Sequence, residues 1–352
     1  MVSSHTSIIH QYLSRRRRSL CDNEKKSYID AVKCLQSHPA QNPSIPAAKT
    51  RFDEFQAQHI VLADEVHNTV NILTANIPSI LTVLRQGEFL PWHRQFVRSF
   101  ELALRDECAY EGAQPYVFTS LTTHLNTYSD RYWDWSQDAD LPNLWVTFPI
   151  NKHYLVLRRM SSISKSPVFD PDTGFGGDGV PGTYTVPPDP TNTSLLFPYA
   201  YIGCVQDGPF ANYTLRLGPG KFITTHCLAR GINNTMSPYL NSTAVAHLMI
   251  MSTFQEFRIE LEGMPVTLDH RTHDGGHFSV GGEMSNFYSS PGGGSLIHII
   301  GLQFSLTHFR PPVLSPSHQS WPSLVALAKI VPFSSLRNFG TNTSRTPFPV
   351  VW

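Results

Sequence analysis

GEFLPWHRQFVRSFELALRDEC, residues 87–108, carries the strongest helical period in the chain beside a histidine. From His93 onward, Phe96, Val97, Phe100, Glu101 and Leu104 recur at spacings of three and four. That period puts an imidazole and an apolar stripe on one face of a helix. A metal-type ligand on a core-facing stripe is held by a rigid element. Pro91 just before the run and Gly-Ala-Gln-Pro at 112–115 just after it mark the expected ends, giving a helix over 93–108.

Two amphipathic segments precede it. Residues 22–37 place Tyr28, Ala31, Val32 and Leu35 on one side, with Asp22 or Asn23 available as a cap. Residues 51–67 place Phe52, Phe55, His59, Leu62, Ala63 and Val66 together, with His67 eight residues beyond His59. Farther on, residues 242–262 read as one helix stopped by Gly263. The intervening region, 161–231, is rich in Pro, Gly and Asp, and so long an irregular stretch is expected to wrap the surface or edge a site.

The second chemically suggestive string is DHRTHDGGHFSVGGEM, carrying His270, His273 and His277. His273 and His277 are four apart, which brings two imidazoles to one face of a helix. Gly275 and Gly276 lower helix propensity but clear bulk beside a close-packed centre. Imidazole suits copper, zinc, iron and nickel. On the residues alone, His59, His67, His93, His273 and His277 fit a metal centre between helices and equally fit satisfied core histidines. Trp92, Phe96, Trp133 and Trp135 are read as core rather than as a substrate platform.

Composition narrows the classes. The 352 residues, 41% of them hydrophobic, suffice for a substantial core, and 27 basic residues balance 27 acidic ones. No global field recruits nucleic acid or an anionic membrane, and the run of arginines at 15–18 reads as a solvated terminal segment. No apolar run is long enough to span a bilayer, and the first twenty residues lack the order of a signal peptide. Sequons at Asn192, Asn212, Asn233, Asn241 and Asn342 nevertheless suit a chain that meets the glycosylation machinery. The five cysteines allow Cys204 with Cys227 and Cys34 with Cys108, leaving Cys21, with free buried thiols as the alternative.

Several strings together carry a resemblance: FDEFQAQHI (52–60), GEFLPWHRQF (87–96), FELALRDECAYEGAQPY (100–116), YWDW (132–135), SPVFDPDTGFGGDG (166–179) and HDGGHFSVGGEM (273–284). From about Arg18 to Pro291 the chain resembles the common central domain of tyrosinase, as in the shorter tyrosinases and polyphenol-oxidase-like proteins of fungi. The resemblance implies a mainly α fold, a four-helix bundle housing a type-3 dicopper centre, with long irregular loops. It divides the chain into an atypical N-terminal segment (1–20), a copper-binding domain (21–291) and a divergent tail (292–352). His59, His67 and His93 match ligands of the first copper, and His273 and His277 match two ligands of the second. The partners implied are dioxygen and phenolic or catecholic small molecules, with no nucleic acid and no membrane. The implied product is an o-quinone and the implied location is extracellular.

The chain also departs from that family's pattern. Where a His-His pair followed by Asp-Arg is expected, it reads GGSLIHIIGLQFSLTHFRPP, leaving His298 and His308 as candidate sixth ligands out of the expected context. Removing 70–86 would leave VHNTGEFLPWHR and removing 117–132 would leave QPYWDW, so both stretches read as insertions from unspliced sequence. Asp274 follows His273 where an Asn in the family is associated with deprotonating monophenols, which opens hydroxylase against oxidase-only activity. Glu65 stands where some relatives have a thioether-linked Cys. The alternative to a phenol or catechol oxidase is a defective or non-enzymatic secreted glycoprotein without an intact second copper site. A zinc hydrolase is disfavoured, because no His-Glu-x-x-His string is present.

Overall fold

The computed structural model describes residues 20–66, 89–112, 133–140, 144–150, 153–159, 162–264 and 266–293. All of them belong to a compact unit, Met1–Pro311. The expectations for His67, His298 and His308, for the arginine run, and for the insertions at 70–86 and 117–132 fall outside the described residues.

Helix α1 (Asp22–Ser37) follows the expected bounds and buries Tyr28, Ile29, Ala31, Val32 and Leu35. Cys21 caps it, and Glu24 Oε2 accepts the Cys21 backbone N–H at 2.9 Å. Helix α2 (Arg51–Val66) is buried on more than one face, enclosing Asp53, Glu54 and Gln56 as well as its apolar residues. Asp53, Glu54 and the amide nitrogen of Gln56 have partners that offset their desolvation. Asp53 accepts from Lys49 N, Thr50 N and Tyr213 Oη at 2.9, 3.0 and 3.0 Å. Gln56 Nε2 donates to Leu217 O and Ser289 O.

Helix α3 (Phe89–Cys108) starts four residues earlier than the apolar period indicated. Pro91 lies in its first turn, where a missing N–H interrupts no intrahelical bond. Phe52 and Phe55 of α2 meet Phe100 of α3 edge-on, at centroid separations of 6.4 and 5.0 Å. Cys34 and Cys108 form a disulfide across 74 residues, joining α1 to α3. In the chain-entropy account, closing a loop of that size is worth about 4 kcal/mol. Cys204 pairs with Cys227 and Cys21 is free.

Trp133 and Trp135 are buried, and Trp133 Nε1 donates to Asp138 Oδ2 of the short helix α4 (Ser136–Ala139) at 2.7 Å. Strands β1 (Leu144–Ile150) and β2 (His153–Arg159) then pair as an antiparallel hairpin with Ile150 opposite His153. The Pro/Gly-rich region contributes only short pieces: β3 (Gly179–Pro181), β4 (Gly203–Val205), β5 (Thr214–Leu215), β6 (His226–Cys227) and β7 (Ala229–Arg230). β4 lies between β3 and β7, and β5 pairs with β6. Arg230, 1% exposed, donates through Nη2 to Phe175 O and through Nη1 to Gly176 O and Gly177 O, fixing the loop at 175–177.

The single helix expected over 242–262 is two helices with a break between them. The short α5 (Ser237–Leu240) leads into α6 (Ser242–Met249), and a separate α7 spans Phe254–Glu262. Thr253 and Glu256 form a capping box that restarts the helix, a local signal stronger than the continuing apolar period. Gly263 ends α7 with φ 73°, as expected of a C-terminal glycine. Helix α8 (Thr272–Val280) is buried along its whole length. A Cβ on Gly275 would stand 2.8 Å from Cβ of Tyr239, so this glycine lets α5 and α8 approach. The architecture is mainly helical with long irregular loops. Among the described residues no helix is long and apolar enough to cross a membrane.

Candidate metal centre

Four histidines converge from three helices: His59 on α2, His93 on α3, and His273 and His277 on α8, with exposures of 1, 2, 5 and 9%. The His59 and His93 rings lie 5.6 Å apart and the His273 and His277 rings 4.6 Å apart. Phe89 joins the two pairs, with its ring 4.6 Å from His93 and 4.8 Å from His273. Trp92, half-buried, approaches His59 edge-on at 5.7 Å and stacks on Phe96 at 5.1 Å.

Every one of these rings is oriented by a main-chain carbonyl. Nδ1 of His59 donates to Tyr288 O at 2.7 Å, His93 to Phe89 O at 2.8 Å, His273 to Glu262 O at 3.2 Å, and His277 to Met284 O at 2.6 Å. A carbonyl only accepts, so Nδ1 carries the proton and Nε2 keeps its lone pair. The Nε2 atoms of His273 and His277 then face each other at 2.9 Å. Two opposed lone pairs at that distance repel, and a cation between or beside them removes the repulsion. Burial first, and then the neighbouring imidazoles, hold His93 and His273 well below the ordinary histidine range. Burial likewise lowers His277, and lowers His59 to about 4 against the bond to Tyr288. The four rings are neutral donors at pH 7, with their tautomers fixed in the way metal-binding histidines require.

Asp274, 1% exposed, follows His273 on α8. Its Oδ1 accepts the Arg271 N–H at 2.6 Å and its Oδ2 accepts from His270 Nδ1 at 2.6 Å. Both oxygens are thereby engaged at the N-terminus of α8, where a carboxylate also meets the helix dipole favourably. A second buried pair lies in the segment that follows α8. Glu283 Oε1 bonds His226 Nε2 at 2.9 Å, and its Oε2 accepts from Ser289 Oγ at 2.6 Å. This pair ties β6 to the segment that supplies Met284 O and Tyr288 O.

Among the described residues, Cys34, His38 and Cys108 also bring ligand-type atoms within 4.8 Å of one another. The two sulfurs are bonded to each other, so in this form neither is a thiolate donor.

The carbonyls of Phe89, Glu262, Met284 and Tyr288 were not legible beforehand, because any residue offers the same main-chain acceptor. Glu283 and His226 stand 57 residues apart, and no spacing rule joins them.

The family model described as the common central domain of tyrosinase matches residues 49–293. Tyrosinase P of Aspergillus terreus is 28% identical over 295 residues, covering 77% of this chain and 67% of that protein. The N-acetyl-6-hydroxytryptophan oxidase of Emericella nidulans is 29% identical over 304 residues, covering 78% and 67%. A solved polyphenol oxidase variant from Thermothelomyces thermophila superposes with a TM-score of 0.59 at 29% identity, covering 84% of this chain and 68% of that one. The stretch matched by the family model contains all four converging histidines, and the chain belongs to the fungal tyrosinase and polyphenol oxidase family.

Proposed function

We propose that this chain is a copper protein on the tyrosinase framework with an incomplete donor set, binding copper more weakly than a fully ligated site and defective in turnover. The observation that carries the metal reading is the 2.9 Å approach of two carbonyl-locked imidazoles, His273 and His277. The donor chemistry fits, because neutral imidazole nitrogens suit copper among first-row metals. In this reading His59 and His93, with His67, hold one copper, while His273 and His277 hold the other. The helices α2, α3, α7 and α8 are the bundle around them. Incompleteness follows from the sequence beyond Pro291, where the family's His-His pair is replaced by GGSLIHIIGLQF.

A second reading is favoured by the locking of all four rings: the site is completed by His298, His308 or another donor, and the chain oxidises phenols or catechols to o-quinones with dioxygen. Copper, when bound, supplies the redox chemistry that passes electrons from the diphenol to dioxygen. The chain's own contributions would be to hold four tautomers fixed, to exclude water by burying the rings, and to present Phe89 and Trp92 as the apolar wall nearest the imidazoles. Asp274, held by Arg271 and His270, would cap α8 and would not take a phenolic proton. The sequons support secretion as part of either reading.

Copper per chain, absorbance after peroxide addition and quinone formation from a catechol separate the two. The defective reading expects one weakly held copper per chain, no near-ultraviolet band and no quinone. Two coppers with the band and turnover would overturn it in favour of the second. A chain that takes no metal even at high copper would remove both.

A further inference from the structure

The cluster of Cys34, His38 and Cys108 lies outside the imidazole centre, and its chemistry changes with oxidation state. Cys34 is in the last turn of α1, His38 is the C-cap residue of the same helix, and Cys108 ends α3. All three are half-buried and so reachable from solvent. His38 Nε2 stands 3.7 Å from Cys34 Sγ. For a tetrahedral cation with metal–sulfur and metal–nitrogen bonds of about 2.3 and 2.0 Å, neighbouring S and N ligands stand about 3.5 Å apart. The His38 to Cys34 edge is therefore within about 0.2 Å of a ligand edge. The sulfur-to-sulfur edge is too short, because those atoms are bonded, and the His38 to Cys108 edge is within 4.8 Å. The Cα atoms of Cys34 and Cys108 are 5.9 Å apart, which leaves room for the sulfurs to separate by side-chain rotation.

We propose that Cys34, His38 and Cys108 form a redox-gated metal site, closed as a disulfide and opened by a thiol reductant to take one thiophilic d10 cation, Cu(I) or Zn(II). In the opening step two reductant thiols become one reductant disulfide, while the Cys34–Cys108 bond breaks and each sulfur gains a proton. In the loading step the cation displaces both thiol protons and binds two thiolates and the neutral Nε2 of His38. A fourth position stays open to water. The charge balance is favourable, because two thiolates offset the charge of a divalent cation. The site is independent of the four buried histidines, which present nitrogen only.

Cobalt(II) is the probe, since it enters tetrahedral zinc-type sites and reports thiolate ligation as a near-ultraviolet charge-transfer band. The full chain with Cys21→Ser, oxidised or reduced under anaerobic conditions, is titrated with cobalt. The expected result is one cobalt per reduced chain with the sulfur band and no sulfur band in the oxidised chain. Cys34→Ser is expected to abolish the band, and Cys204→Ser with Cys227→Ser to retain it. His38→Ala, which leaves both cysteines in place, should weaken cobalt affinity at least about tenfold. A band that is indifferent to His38→Ala would arise from thiols of a loosened chain and would overturn the proposal, as would a reduced chain with no band. Cobalt bound by the four buried histidines gives no sulfur band, so loss of that centre would leave this test readable.

Discussion

His273 and His277 point their Nε2 atoms at each other across 2.9 Å while their Nδ1 atoms are committed to the carbonyls of Glu262 and Met284. Neither ring can relieve the contact by changing tautomer without losing a buried hydrogen bond. The metal-free protein is thus held in a geometry that a cation stabilises, a form of preorganisation in which the fold supplies the cost of bringing the donors together.

The first expectation concerns the pair itself. His273→Ala removes one donor and one of the opposed lone pairs, so copper affinity should fall at least about tenfold. The metal-free melting temperature should move much less than for an ordinary buried truncation. Equilibrium dialysis and a thermal melt of the apo chain check both; unchanged copper binding would contradict the assignment.

Acid should destabilise the metal-free chain. His59 is lowered to about 4 in the folded state by burial, against 6.5 when unfolded, so between those values the unfolded chain binds more protons. Stability is full above about pH 6.5 and is lost as pH falls toward 4, by up to about 3 kcal/mol from this group. His93, His273 and His277 shift in the same direction and steepen the loss. Copper should flatten the curve, since ligation competes with protonation. Urea unfolding across that range, with and without copper, reads the difference.

The Glu283–His226 pair should give the opposite slope at higher pH. Burial alone would lower His226, but the hydrogen bond and charge of Glu283 prevail and raise it. Its contribution is therefore complete below about pH 6.5 and declines as pH rises through the raised folded value. Glu283→Gln should cost roughly 3 kcal/mol at neutral pH and remove that decline. It should also lower copper affinity, because Met284 O and Tyr288 O sit on the segment the pair anchors.

Gly275→Ala tests the helix contact. Alanine gains up to about 1 kcal/mol of helix propensity, but its Cβ would stand 2.8 Å from that of Tyr239. The overpacking cost of about 1–3 kcal/mol should prevail, and the variant should unfold at lower denaturant than wild type.

Thr253→Ala removes the side-chain acceptor of the Glu256 N–H at 3.1 Å, the bond that restarts the helix after Met249. A loss of about 1 kcal/mol is expected, with α7 fraying first in hydrogen exchange.

Apolar spacing was enough to find α2 and α3, the helices that carry His59 and His93, because it records which face is buried, whereas α8 with its two glycines has no such stripe. The sequence by itself also determined the family, through FLPWHR, YWDW and the later His-x-x-x-His taken together. Local signals set some boundaries that periodicity missed: Pro91 is accepted inside the first turn of α3, and Thr253 with Glu256 divides what reads as one helix. Which partner each imidazole keeps is settled by tertiary packing. The carbonyls of Phe89, Glu262, Met284 and Tyr288 carry no side-chain signature, yet they fix the tautomers and aim the Nε2 atoms inward. Asp274 illustrates the same limit, since its neighbour in sequence is His273 while its bonds are to Arg271 and His270. Residue types announce which atoms are capable of binding a metal. Their directions follow from long-range packing, and so does the availability of their lone pairs.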